Sequence, residues 1–330
     1  LSGWKTLNGM TIRQVRVPMG VVAIIYENRP NVTIDAFSLA YKSGNAILLR
    51  GSSNSFNSNK KIVEVIKNAL KENENNGATP DAIELVEVKE GDHSDVDAIL
   101  NAVGKIDVVL PRGGKKLIEA VVRNARVPVI ETGSGVCHLF VDETAKLNDA
   151  VLIAENAKIQ RPSVCNAIEC VLAHEKIAKQ FLEMMSDKFA GRVKMHADEK
   201  AFEILSGIKS AEGHLVKATE EDFGNEYLDY ECCVKVVSSI DEAIEYINEH
   251  NTKHSESIIT ESRENARLFQ SRVDASCVYV NCSTRFTDGG EFGFGAELGI
   301  STQKLHVRGP MGIKALTTTK YLIDGEGQIR

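Results

Sequence analysis

No two cysteines in the chain stand at CxxC spacing, and no HExxH motif occurs. The seven cysteines, at 137, 165, 170, 232, 233, 277 and 282, are odd in number. A disulfide scaffold or a zinc site is therefore not indicated, and reduced thiols in a cytoplasmic protein are expected, with no metal. No apolar run approaches the roughly 20 residues needed to cross a bilayer. The opening LSGWKTLNGM lacks the charge-then-apolar pattern of a signal peptide. It also lacks an initiator methionine, so upstream sequence is expected. There is no basic excess: 39 Lys and Arg face 46 Asp and Glu, a net charge of −7. A nucleic-acid backbone as main partner calls for the opposite sign. Neither GxGxxG nor a Walker A motif occurs, and no internal repeat or low-complexity tract is visible.

What is present is a long, ordinary globular composition. With 330 residues, 43% apolar and 26% charged, two domains can each bury a core. Residues 4–17 read as a β-hairpin around Asn8-Gly9, a pair suited to a type I′ turn. VVAIIY, from Val21, is a continuous apolar run such as a strand buried on both faces shows. A helix over 31–42 ends at Ser43-Gly44, and AILLR (46–50) is the next strand. Helices at 60–71, 94–103 and 115–124 alternate with strands at 84–88, 107–111 and 127–131. Such alternation predicts a parallel, doubly wound sheet. Beyond Gly135 the pattern predicts helices at 145–158, 165–174, 175–189 and 241–250, with strands at 234–237, 257–259 and 278–281. A glycine-rich stretch over 282–313 reads as loop, and ALTTTKYLI as a terminal strand.

Five stretches carry candidate chemistry, and each also has a plain structural reading. In QRPSVCNAIECVLAH, Cys165 stands at the entrance of the expected 165–174 helix. Unpaired N–H groups and the helix dipole would favour its thiolate there, although a buried core thiol is as ordinary an outcome. LPRGGKK (110–116) is a strand, a glycine turn and a helix, the usual setting for a phosphate or simply a βα turn. RGSS (50–53) puts Arg50, Ser52 and Ser53 after a strand, where Arg50 either holds a phosphate or is solvated. In YENRPNVT, Asn28 is an oxyanion donor or a turn residue. STRFTDG offers Ser283, Thr284 and Arg285 as an anchor for an anionic substrate, or as plain loop polarity.

Together with VPMGVVAIIYENRPNVTIDAFSLAYKSGNAILLRG, DVVLPRGGKKLI, EYLDYECCVKVV and the long VYVNCSTRFTDGGEFGFGAELGISTQKLHVRGPMGIKALTTTKY, these stretches resemble the aldehyde dehydrogenase superfamily. Within it they are most similar to its acyl-phosphate reductases, from about residue 18 to the C-terminus. The resemblance implies an α/β protein with a Rossmann-type NADP-binding domain over 18–133, lacking its N-terminal part. It further implies a catalytic domain over 134–309 and a small β oligomerisation unit built from the hairpin at 1–17 and a strand within 310–330. Cys165 matches the family's nucleophile and Asn28 its oxyanion asparagine, with the Cys165 N–H as second donor. Gly44-Asn45, a strand and Arg50 match a GN…K motif whose lysine contacts the adenosine ribose. Ser53 stands where NAD-preferring relatives carry an acid, and both changes favour NADPH. Glu131 precedes Cys165 at the separation of the family's glutamate. An acyl-phosphate reductase needs no hydrolytic water, which leaves Glu131 to orient groups.

The turn Arg112-Gly113-Gly114 departs from the family's GSTxxG, with Leu117 in place of its last glycine. Glu226 roughly matches a glutamate that holds the nicotinamide ribose. The activity implied is NADPH-dependent reduction of L-glutamyl 5-phosphate to L-glutamate 5-semialdehyde and phosphate, the second step of proline biosynthesis, through a cysteine thioester. The partners implied are that substrate, a glutamate 5-kinase, and further copies in a homodimer or tetramer. No nucleic acid, membrane or metal is implied. Another NADP-dependent aldehyde dehydrogenase, the reductase half of a kinase fusion, and a non-catalytic dinucleotide-binding protein stay open as alternatives.

Overall fold

The computed structural model of the protein describes residues 2–27, 29–88, 91 and 93–330. The chain folds as two compact units, one of residues 1–132, 293–299 and 303–330, the other of residues 133–292 and 300–302. The stretches 293–299 and 303–309 return to the first unit because Leu298 and Val307 pack into its apolar core.

The first unit opens with β1 (Gly3–Lys5) and β2 (Thr11–Pro18), which pair antiparallel. The connection is not the expected two-residue type I′ turn. Thr6 N–H donates to Met10 O and Gly9 N–H to Thr6 O, and Gly9 takes φ +94 while Asn8 does not enter the left-handed region. This is a three-residue loop closed by a left-handed glycine. The C-terminal strand Thr317–Asp324 pairs along the other edge of β2, giving a three-stranded antiparallel sheet.

A four-stranded parallel sheet follows in the order β5-β4-β3-β6, from β3 (Val21–Tyr26), β4 (Ala46–Arg50), β5 (Ile83–Leu85) and β6 (Val108–Arg112). Helix α1 (Asn31–Lys42) buries Val32, Ala36, Leu39 and Ala40, one face at helical spacing. It stops where Gly44 takes φ +81. Helix α2 (Phe56–Glu72) buries Val63, Ile66 and Leu70 in the same way. The short α3 (Ser94–Leu100) ends before the expected 103, and α4 (Lys115–Asn124) follows β6 directly. The expected strand at 127–131 is reduced to a single parallel bridge between Val129 and Val109.

The second unit is a seven-stranded sheet, every pair parallel, in the order β10-β9-β11-β8-β7-β12-β13. Its strands are β7 (Cys137–Val141), β8 (Ile168–His174), β9 (Lys194–Ala197), β10 (Leu215–Lys217), β11 (Glu231–Val237), β12 (Ser255–Ile259) and β13 (Cys277–Val280). Its helices are α5 (Leu147–Ile159), α6 (Glu175–Phe189), α7 (Glu199–Leu205), α8 (Ile240–His250) and α9 (Arg263–Arg272).

One expectation fails at a decisive place. Residues 165–174 are not a helix: β8 begins at Ile168 and runs down the middle of the sheet, with all seven residues buried. A parallel strand covered on both faces has no alternation to display, so its apolar run resembles a short buried helix. The consequence reaches Cys165, which heads no helix. The core beneath β8 is filled by α5 and α6, where Phe181 is fully buried among Leu139, Val171 and Met185. Phe181→Ala is expected to lower stability by about 3–5 kcal/mol, read as a drop in the urea midpoint.

Candidate active site

Cys165 lies in a tight turn just before β8, closed by Ala167 N–H donating to Val164 O (3.0 Å). The residue is half-buried, whereas Cys137, Cys170, Cys232, Cys233 and Cys277 are buried, and none of the seven forms a disulfide. Gly135 packs directly on this turn. A Cβ at 135 would stand 1.6 Å from the Cys165 carbonyl oxygen and 2.6 Å from its Cα, so no side chain can occupy that position without moving the cysteine. Behind the turn, the Cys137 thiol donates to the Cys165 carbonyl oxygen (3.2 Å) and lies 3.7 Å from His254 Nδ1. Burial, and then the Glu256 carboxylate, hold the Cys137 pKa well above the ordinary thiol value. It therefore keeps the proton it donates. Burial lowers His254 to about 4, which leaves that ring neutral at pH 7.

The loop carrying the expected anion anchor is tied to the same turn. Asn166 Nδ2 donates to Thr287 O (3.0 Å) and Arg285 O (3.3 Å), and Thr284 Oγ1 donates to Asn166 O (2.7 Å). Ser283 Oγ accepts from Arg285 N–H (3.3 Å). The hydroxyls of Ser283 and Thr284 thus hold the loop itself. The Arg285 side chain extends to Gln160, its Nε donating to Oε1 (3.1 Å), and burial together with neighbouring Arg161 lowers its pKa.

Glu226 approaches from the other side, its Oε1 accepting from Gly135 N–H (2.6 Å). Below the turn Glu169 and Lys158 form an ion pair (2.6 Å), both side chains 0% exposed. Burial, partly offset by Lys158, raises the Glu169 pKa to about 7. Cys165, Glu226 and Arg285 are therefore gathered around one turn, through Gly135 and Asn166. Neither intermediary was visible as a functional residue in the sequence. Glu169 does carry a sequence signal, a carboxylate inside the apolar run IECVLAH.

In the first unit, the remaining candidates stand at the C-terminal ends of the parallel strands. There, between β3 and β6, the strand order reverses, the position where open α/β sheets bind ligands. Arg112 faces Tyr26 across the β3–β6 pair, and Gly113 and Gly114 lead into α4. Neither α4 nor α2 has a side-chain cap or an acidic residue in its first turn, which leaves N-terminal amides suited to an anion. Glu27 Oε2 accepts one of them, from Gly114 (2.9 Å). Arg50 is not a solvated arginine: it is buried and pairs bidentately with Asp95 (2.8 and 3.2 Å). Ser52 Oγ lies 3.1 Å from Ser55 Oγ, and Ser53 is exposed at the approach to α2. Glu131 is half-buried, its N–H donating to Gln303 Oε1 (2.8 Å). Asn28 lies outside the described residues.

Two outcomes test this geometry. Gly135→Ala is expected to push Cys165 out of place and slow turnover that depends on its thiol by on the order of 100-fold, measured as kcat/KM. A carboxyl signal absent from Glu169→Gln is expected to titrate near pH 7 by NMR. Because the folded value of about 7 exceeds the ordinary 4.5, the contribution of Glu169 to stability is full below about pH 4.5 and is lost as pH rises to about 7.

The model of the aldehyde dehydrogenase family matches residues 2–226 and 232–321. A curated gamma-glutamyl phosphate reductase of Treponema pallidum is 52% identical over 339 aligned residues, covering 100% of this chain and 78% of that protein. The crystal structure of gamma-glutamyl phosphate reductase from Thermotoga maritima is 50% identical, with a TM-score of 0.94, covering 100% of this chain and 77% of that one. An acetylating aldehyde dehydrogenase from Geobacillus thermoglucosidasius shares the fold at 18% identity and a TM-score of 0.74, covering 97% of this chain and 78% of that one. The chain, an α/β oxidoreductase, belongs to the aldehyde dehydrogenase family.

Proposed function

We propose that the chain reduces L-glutamyl 5-phosphate to L-glutamate 5-semialdehyde and phosphate, with NADPH as reductant, in the proline-forming pathway of the cytoplasm. The observation that carries this reading is the Cys165 turn with Arg285 tied to it, in a chain half identical over its whole length to proteins bearing that enzyme's name. An ordinary aldehyde-oxidising activity is not favoured by those relatives.

In the proposed reaction the Cys165 thiolate attacks the acyl carbonyl, and the C–O bond to phosphate breaks, leaving a thioester on the sulfur and free phosphate. The guanidinium of Arg285 holds an anionic group of the substrate, with Ser283 and Thr284 shaping the loop that presents it. When bound, the dinucleotide supplies the hydride that takes the thioester to the aldehyde level. Collapse of the resulting thiohemiacetal releases the aldehyde and restores the thiolate. Gly113, Gly114 and the start of α4 would hold the dinucleotide's phosphates, with Arg112 beside them. The hydroxyls of Ser52 and Ser53 would lie toward the adenosine end, where no carboxylate side chain stands at 52 or 53 to repel a 2′-phosphate. Arg50, neutralised by Asp95, shapes that end of β4. Glu226 is assigned the nicotinamide ribose, and Glu131 an orienting role.

A homodimer or tetramer completes the proposal. Trp4, Ile12, Tyr321 and Ile323 share one face of the antiparallel sheet, by their register across β2. Trp4, Tyr321 and Ile323 are exposed at 46%, 55% and 59%, an apolar face of the kind that a second copy covers.

The deciding experiment runs the reaction backwards, following NADP⁺ reduction with glutamate 5-semialdehyde. Turnover should require phosphate and be abolished in Cys165→Ala. Reduction that is indifferent to phosphate, or that persists in Cys165→Ala, would defeat the proposal.

A further inference from the structure

The segment 226–229 presents an oddity that the chemistry above does not use. Leu228 has φ +55, a left-handed conformation rare for a bulky side chain. The residue is 42% exposed, so core packing does not impose that backbone. Two hydrogen bonds do hold the segment. Leu228 N–H donates to Glu169 Oε1 (3.2 Å), and Tyr227 OH donates to Asp222 Oδ1 (2.8 Å). Asp222 is itself fixed by His196 Nδ1 (2.8 Å), whose Nε2 meets Glu231 (2.8 Å).

Glu169 therefore does two things at once. One oxygen takes Lys158 in a pair with no solvent exposure, and the other takes the amide of a strained residue. Two residues before Leu228 stands Glu226, whose carboxylate accepts from Gly135 N–H, and Gly135 lies against the backbone of Cys165. A buried ion pair is weak evidence for stability, since well-packed apolar residues often replace one at no loss. Here the pair has a geometric role: its carboxylate is the acceptor that pins the 226–229 loop.

We propose that Lys158 and Glu169 are positioning residues: through Leu228 they hold Glu226 against Gly135 and so set the geometry of the Cys165 turn. Lys158 keeps the carboxylate in place, Glu169 holds the Leu228 amide, and the loop delivers Glu226. The kinetic part of this inference rests on the reductase activity proposed above, while its structural part does not.

The test compares two double variants of the full chain. Lys158→Met/Glu169→Leu removes the pair and the acceptor, and Lys158→Met/Glu169→Gln removes the charges but keeps an acceptor for Leu228. Both should unfold at temperatures close to the parent. The leucine variant should show amide exchange at Leu228 and Gly135 faster by about tenfold or more, and a kcat lower by about 10- to 100-fold, with KM for the acyl phosphate unchanged. The glutamine variant should recover both. Parent-like kcat in the leucine variant would overturn the proposal, as would equal impairment of the two. Should the leucine variant fail to fold, a glutamine variant that folds but loses kcat or Leu228 protection overturns it equally. If the parent protein itself shows no phosphate-dependent turnover, the function above falls. Amide exchange at Gly135, and the rate of Cys165 alkylation by iodoacetamide, then decide the positioning role alone.

Discussion

The contact between Gly135 and the backbone of Cys165 is the constraint around which the second unit is organised. Two chain segments meet there more closely than any Cβ would permit, just where β7 and β8 enter the sheet side by side. Close packing transmits such a contact, because an interior at crystal-like density has no slack to absorb a shift. The cysteine is thereby fixed by backbone geometry, and side-chain chemistry is arranged around it. Cys137 supports its carbonyl from behind, Asn166 ties it to the 283–288 loop, and Glu226 meets Gly135 from the opposite side.

The electrostatics of this unit follow from burial more than from net charge. His138 and Glu256 are hydrogen-bonded partners with no exposed side chain, and Lys158 and Glu169 an ion pair equally buried. In each, the low local dielectric raises the cost of leaving a partner unmatched, so the pair acts as a rigid unit. The first unit uses the same device at Arg50 and Asp95. A guanidinium that the sequence leaves open as a phosphate ligand or a solvated arginine is paired with a carboxylate in the fold.

Much of the architecture was legible in the residues. The alternation of VVAIIY, NVTIDAFSLAYK and AILLR led to β3, α1 and β4, because runs and helical spacing survive wherever a helix keeps one wet face. Legibility failed at a second strand with both faces buried. IECVLAH has no period to read, so its strand is indistinguishable from a short buried helix. Asn-Gly alone points to a two-residue hairpin turn, whereas hydrogen bonding between Thr6 and Met10 makes it three. VPVIE, as apolar as its neighbours, formed only one bridge beside β6.

The sequence by itself determined the α/β class, the order of most elements and Cys165 as the candidate for the centre of the site. These depend on local pattern and on residue types that only certain chemistry requires. Tertiary structure alone decided what surrounds that cysteine. Gly135, Asn166, Glu169 and Leu228 lie on segments distant in sequence or carry no motif, and they matter because the parallel sheet brings the ends of β7, β8 and β11 together. Adjacency across a sheet is set by strand order and register, neither of which is written in the spacing of residues along one chain.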